Sequence, residues 1–206
     1  EDKDLLLADN VFDFSLNYMG KSAKTPWARQ LWIMFMLCGE FCPRCCDPMV
    51  LNIENVPVDM DSHELAERAC LTRHGICPRC GVGKAELVLN GEINSYYELI
   101  AVLGQRSGKS ATVSILLAYW IHRLLKMPNY STLSGGIQAF SPLTITLVAL
   151  SLGRASKLLW HPVSQILKTS DWFIEYHKVL RHAGNAEGQE LFKFNKESLF
   201  YFHRNL

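Results

Sequence analysis

At 206 residues the chain has the length to bury the core of one domain, with room for a small insertion. Its 49% hydrophobic and 20% charged content is that of a folded globular protein, and a formal charge of +1 argues against gripping nucleic acid through a bulk field. No apolar run reaches the roughly 18–20 residues that cross a bilayer, and the acidic start at Glu1–Asp4 has no basic leader region. A reducing cytoplasm with no membrane association is expected, so the seven cysteines would serve metal rather than disulfides.

In chain order, the sequence reads as an N-terminal segment at 1–41, a cysteine-bracketed block at 42–81 and a remainder at 82–206. Trp27–Leu37 has apolar spacing that predicts a helix starting after Thr25-Pro26. Within the cysteine block, Ser62–Cys70 predicts a short helix capped by Asp61 or Ser62, with Glu64 in its first turn. Leu99–Leu103 reads as a short strand feeding a turn at Gly104–Ser110 and a long helix to Lys126, stopped by Pro128. Ser131–Gly136 is a predicted loop and Thr144–Leu150 a second buried strand. Helices are expected at Gly153–Thr169, bent at Pro162, and at Asp171–His182. A hairpin of Leu191–Asn195 and Ser198–His203 follows. Strands interleaved with helices predict an α/β fold, a mostly parallel sheet with flanking helices, carrying the cysteine block as an insertion.

The strongest chemical motif is Gly104-Gln105-Arg106-Ser107-Gly108-Lys109-Ser110. A polyphosphate requires main-chain N–H groups converging on its oxygens, hence tight turns that a Cβ would obstruct, and Gly108 meets that need. Lys109 can reach the β- and γ-phosphates, Ser110 can ligate Mg²⁺, and the helix that follows adds its positive end. The first glycine, Gly104, stands one place later than in the standard phosphate-loop pattern, which makes this a variant loop. Arg106 has two readings: a guanidinium aimed at the γ-phosphate, or a solvated loop residue.

Cys42-Pro43-Arg44-Cys45 and Cys77-Pro78-Arg79-Cys80-Gly81 form two similar knuckles. Paired C-x-x-C units bring four thiolates within tetrahedral reach of a Zn²⁺ ion and leave it no open position, so a structural zinc ribbon is expected. Cys46 is an alternate ligand to Cys45. Cys38 and Cys70 read as small buried hydrophobes, and His63 and His74 as surface residues. Arg44, Arg68, Arg73, Arg79 and Lys84 around the knuckles offer either a phosphate-contact surface or an ordinary solvated face.

Taken together, these segments resemble the N-terminal ATPase region of large terminase subunits from tailed bacteriophages. The variant loop is similar to that family's loop, with an Arg just before Ser-Gly-Lys-Ser. The segment Pro26-Trp27-Ala28-Arg29-Gln30-Leu31 resembles its adenine-side segment, whose Gln reads the base. A strand, a helical run near Arg154-Ala155 and a hairpin near Phe194–Phe202 follow in a similar order.

The resemblance implies an ATPase motor that uses ATP and Mg²⁺ to drive double-stranded DNA into procapsids. It implies partnership with a portal and a small terminase subunit, a homo-oligomer in the working motor, a host-cytoplasm location and a parent protein that is also an endonuclease. An inserted zinc ribbon is not general to that family. The Asp-Glu pair that assists Mg²⁺ and activates water there does not occur in this sequence. With no initiator Met and an end at Leu206, the chain is expected to be a fragment that hydrolyses ATP poorly alone. From the residues alone, Gln30 is equally an ordinary helix-surface amide, and Trp27, Trp32 and Tyr96-Tyr97 read as packing residues. A helicase-like ATPase, or a zinc-ribbon module binding DNA or a protein on a nucleotide-binding scaffold, are the rival readings.

Overall fold

The computed structural model describes residues 6–19, 26–94, 96, 107–125, 145–146, 153, 156–187, 192–195 and 198–201. The chain divides into two compact units, Ala8–Leu116 and a second made of Glu1–Leu7 with Leu117–Leu206. The cysteine block therefore lies in the same unit as the segments on either side of it. Among the described residues no helix is long and apolar enough to cross a membrane.

In the first unit a short helix α1, Val11–Asp13, passes into a π turn at Phe14–Tyr18. Asn10 starts it. Its Oδ1 accepts from the N–H groups of Phe12 and Asp13 at 3.0 Å, while its Nδ2 donates to the Thr72 carbonyl at 2.9 Å. The buried Glu40 carboxylate accepts the Val11 N–H at 2.8 Å, so three of the donors orphaned at a helix start are met by side chains.

Helix α2, Ala28–Cys38, buries the stripe Leu31, Met34 and Phe35, each fully inaccessible, as the i, i+3, i+4 spacing requires. Burying such side chains is worth about 1.5–3 kcal/mol apiece. The helix ends at Gly39, whose φ of +59° suits glycine, with Glu40 N–H closing onto the Phe35 carbonyl at 3.0 Å. Trp27, expected in the core, is instead 67% exposed. It stands just ahead of α2, where the inward stripe of Ala28 and Leu31 has already turned the ring toward solvent. Trp32 is half-buried and donates its indole N–H to the Val50 carbonyl at 2.7 Å.

The cysteine block carries two short 3₁₀ turns, Pro48–Leu51 and Ile53–Asn55, capped by Asp47 and Asn52. Helix α3, Ser62–Arg68, follows and is capped by Asp61, which accepts from His63 N–H at 2.8 Å. Helix α4, Lys84–Leu89, buries Leu87. Helix α5, Lys109–Leu125, starts immediately after Gly108, close to its expected span.

The second unit contains a π segment, Ser156–Trp160, followed by α6, His161–Thr169, and α7, Asp171–Glu187. Pro162 falls in the first turn of α6, where its missing N–H is harmless. The bend expected there is a change of helix type. Strands β1, Phe192–Phe194, and β2, Leu199–Tyr201, pair antiparallel with Lys193 opposite Phe200, as the hairpin reading predicted. Val163, Leu167, Phe173 and Leu180 are buried.

An aromatic column runs through this unit. His122 packs on Trp172 at 4.2 Å, Trp172 stacks on Tyr176 at 5.1 Å, and His177 stacks on Tyr201 at 5.7 Å. Tyr201 belongs to β2, so this column seats the hairpin on α7.

Among the described residues the fold is thus mostly helical, with one two-stranded antiparallel sheet. The expected strand at Leu99–Leu103 and the loop at Ser131–Gly136 lie outside the described residues. Of the expected strand Thr144–Leu150, Ile145 and Thr146 are described; both are exposed and neither has regular structure, which departs from the buried strand anticipated there.

The His177 ring lies 2.8 Å from the Tyr201 hydroxyl. Burial first, and then the nearby Arg181, hold its pKa down to about 4. The unfolded chain binds a proton here below about pH 6.5 and the folded chain does not, so the stabilisation from neutral His177 is complete above that pH. It is lost as the pH falls from about 6.5 toward 4, a change on the order of 1–2 kcal/mol once solvent screening is allowed for. Denaturant midpoints at pH 7, 5.5 and 4 check this: they should fall with pH in the native chain and fall less in His177→Gln.

Candidate metal centre and phosphate loop

Two local turns build the metal centre. In the first, the N–H groups of Cys45 and Cys46 both donate to the Cys42 carbonyl, at 3.1 and 2.9 Å. In the second, Gly81 N–H donates to the Cys77 carbonyl at 3.0 Å with Gly81 at a φ of +73°, and the N–H groups of Arg79 and Cys80 point at the Cys77 sulfur at 3.4 and 3.5 Å. These turns are joined through the backbone: Cys42 N–H donates to Cys70 and Thr72 N–H to Glu40, while Phe41 pairs with Leu71.

The result is that the sulfurs of Cys42, Cys45, Cys77 and Cys80 all lie within 4.8 Å of one another, with Cys42 and Cys80 at 3.7 Å. A tetrahedral zinc with Zn–S bonds near 2.3 Å requires sulfurs about 3.8 Å apart, so the set fits such an ion. These four cysteines could hold a metal ion such as zinc. Cys46 is not in the set; its thiol faces the Pro43 carbonyl at 3.6 Å, so Cys45 is the member of the first knuckle that turns inward. His63 and His74 are exposed, as expected, and His74 pairs with Asp9 at 2.9 Å.

Without an ion the thiols compete for protons. Burial pushes Cys42 up to about 12, and hydrogen bonding to Cys80 followed by burial pushes Cys45 up to about 11. Cys77 goes the other way: burial opposes ionisation there, but the Cys80 and Arg79 N–H groups aimed at its sulfur, together with hydrogen bonds from the Cys80 and Cys42 thiols, bring it down to about 6. Metal binding must displace the remaining protons, so affinity should rise with pH.

Sequence reading missed one member of the cluster. Cys70, expected to be a simple buried hydrophobe, is buried but lies with its sulfur 3.7 Å from that of Cys77. It lies only seven residues before Cys77, but the lack of a C-x-x-C partner hid it. Cys38 is half-buried at the end of α2.

The basic residues around the knuckles are engaged internally. Arg44 bonds Glu92 at 2.8 Å and Glu86 at 3.1 Å, and Arg68 pairs with Glu64 at 2.7 Å and Asp47 at 3.2 Å. Arg79 donates to the Cys45 and Glu67 carbonyls, Lys84 to the Cys38 carbonyl, and Arg73 faces Asp9 at 3.7 Å. Arg44 thereby ties the first knuckle to α4, and Arg79 ties the second to α3.

Of the expected phosphate loop, Ser107 to Ser110 are described, while Gly104, Gln105 and Arg106 lie outside the described residues. Gly108 has a φ of +74°, a left-handed turn that favours glycine. Its carbonyl accepts the Thr112 N–H at 3.0 Å, starting α5, with exposed Lys109 and half-buried Ser110 in the first turn. The Ser107 hydroxyl is buried with no hydrogen-bond partner among the described residues.

Gln30, 77 residues away in sequence, donates its Nε2 to the Ser107 carbonyl at 3.0 Å and accepts the Trp27 N–H on Oε1 at 3.1 Å. A Cβ on Gly108 would come within 2.0 Å of that Nε2. Gly108 is therefore demanded by its dihedral, and a side chain there would also have to displace the Gln30 amide from the Ser107 carbonyl. A cavity of about 590 Å³ at the starts of α2 and α3 is lined by Pro26, Trp27, Val58, Met60 and His63, with none of Ser107–Ser110 in its wall. Tyr96 is exposed.

Two outcomes check this geometry. Metal analysis of the purified chain should give one zinc per chain, and Cys77→Ser should lose it; an equal metal content in the two would remove the four-thiol assignment. Gly108→Ala should lower the denaturant midpoint by an amount equivalent to about 1–3 kcal/mol, since its left-handed backbone strains a residue with a Cβ.

Comparison of the chain with protein-family models, with curated proteins and with solved structures finds no match.

Proposed function

We propose that this chain is the nucleotide-binding region of an ATP-driven DNA-packaging motor of the large-terminase kind, built on a phosphate-loop α/β core and carrying a structural zinc in its cysteine block. The observation that carries the reading is the bond from Gln30 to the carbonyl of Ser107. Two segments that resemble the terminase adenine-side and phosphate-binding motifs, far apart in the sequence, meet at one place.

The chemistry follows from the residues. A left-handed Gly108 stands at the start of the 17-residue helix α5, where the unpaired N–H groups and dipole of a helix start favour a phosphate anion. Lys109 supplies an ammonium from the first turn, and the buried Ser107 hydroxyl has a donor to offer a phosphate oxygen. Gln30 spends one N–H and one lone pair on the protein, leaving its second N–H and second lone pair to face an adenine edge. Exposed Trp27 leaves an aromatic face near that amide on which a base can stack.

With nucleotide bound, Mg²⁺ would be held by Ser110 and would neutralise charge on the β- and γ-phosphates, while Arg106 would face the γ-phosphate. The zinc-ribbon residues are read as a structural staple; the salt bridges of Arg44 and Arg68 leave little of their charge for a DNA backbone.

Fluorescent ATP-analogue titration tests the reading. The native chain should bind the analogue with Mg²⁺ present, Lys109→Ala should weaken it at least about tenfold by removing a charge-assisted contact, and metal content should stay unchanged. Equal affinity in the two chains sinks the assignment.

A further inference from the structure

Five thiols, not four, meet in the cysteine block. Cys70 has its sulfur 3.7 Å from Cys77, and both are buried. A tetrahedral ion uses four sulfurs, which leaves Cys70 in contact with a ligand but outside the set. Two local features place it there. The segment folds back at Arg73 and Ile76, whose backbones exchange hydrogen bonds at 2.8 and 2.9 Å, returning Cys77 toward Cys70. Cys70 also holds a φ of +49°, an uncommon and strained setting for a residue with a Cβ.

The geometry points to Cys70 as the resolving thiol of an oxidation site: hydrogen peroxide drives formation of a Cys70–Cys77 disulfide, which takes Cys77 out of the metal set. Entry is at Cys80, the exposed member of the cluster. The Cys80 sulfur attacks one peroxide oxygen, the O–O bond breaks, and a sulfenic acid and hydroxide result. Cys77 then attacks the Cys80 sulfur, the S–O bond breaks, and the oxygen leaves as water with a thiol proton. Cys70 attacks Cys77 in turn and expels Cys80 as a thiol. In sum two thiols lose two electrons and two protons, and one peroxide becomes two waters.

The last exchange is favoured by proximity. The Cys70 and Cys77 sulfurs must close by only about 1.7 Å to reach a bond of about 2.05 Å. The ring they close is short, so little further chain entropy is lost. The disulfide also sits in an interior that excludes water from both sulfurs.

The test uses the full chain as purified, with one equivalent of hydrogen peroxide, followed by alkylation and trypsin. Cleavage after Arg68, Arg73 and Arg79 puts Cys70, Cys77 and Cys80 on three separate peptides. Mass spectrometry should find Ala69–Arg73 linked to His74–Arg79 as the major disulfide, with Cys80 alkylated and bound zinc released. In Cys70→Ser the link should move to Cys77–Cys80. A native chain whose major disulfide joins two of Cys42, Cys45, Cys77 and Cys80, with Cys70 carrying the alkyl label, overturns the proposal. The disulfide map reads the same whether or not the chain holds zinc, so failure of the metal assignment is distinguishable, and the native map decides even if the serine variant does not fold.

Discussion

The convergence of four cysteine sulfurs within 4.8 Å is the constraint on which the first compact unit depends. The block between them is short on apolar mass: its buried hydrophobic side chains include Val50, Val56, Leu65 and Leu71, while Leu51, Val58 and Ile76 are exposed. So small a core offsets little of the conformational entropy lost on ordering its residues. A metal held by four thiolates contributes on the order of 10 kcal/mol to folding in small domains, which is enough to change that balance. The surrounding polar groups are arranged accordingly. Cys42, Thr72 and Arg73 use main-chain bonds to hold the two knuckles in one frame, and Arg44, Arg68 and Arg79 bridge that frame to neighbouring helices.

Helix α2 links this centre to the phosphate loop within the same unit. Its C-terminal end runs through Gly39 and Glu40 into the first knuckle, where Lys84 also reaches the Cys38 carbonyl. Gln30 lies in its first turn and bonds Ser107. The helix is anchored between by Leu31, Met34 and Phe35, so its two ends keep a fixed separation.

The second unit is organised differently, by aromatic contact rather than by a cysteine cluster. Trp172 donates to the Leu6 carbonyl at 2.9 Å and Tyr176 to the Leu125 carbonyl at 3.3 Å, so the polar tips of buried rings are satisfied by main chain. Burial raises the Tyr176 and Tyr201 hydroxyls above their usual range and lowers the His177 imidazole, which keeps the His177–Tyr201 hydrogen bond between neutral partners.

Local chemistry was legible in the residues themselves. The helix after Pro26, the Asp61-capped helix, the hairpin around Asn195 and Ser198, and the two C-x-x-C knuckles each follow from side chains a few positions apart, where propensity, capping and turn geometry decide. The parallel sheet that the sequence suggests is not among the described residues, and Ile145 with Thr146 lies exposed where a buried strand was expected. What tertiary structure alone decided are the meetings across long stretches of chain. Gln30 against Gly108, Trp27 turned to solvent, and the arginines spent on neighbouring carboxylates and carbonyls all depend on which backbone segments pack together. No periodicity or spacing encodes such contacts, because each is set by the summed packing of residues that are distant in sequence.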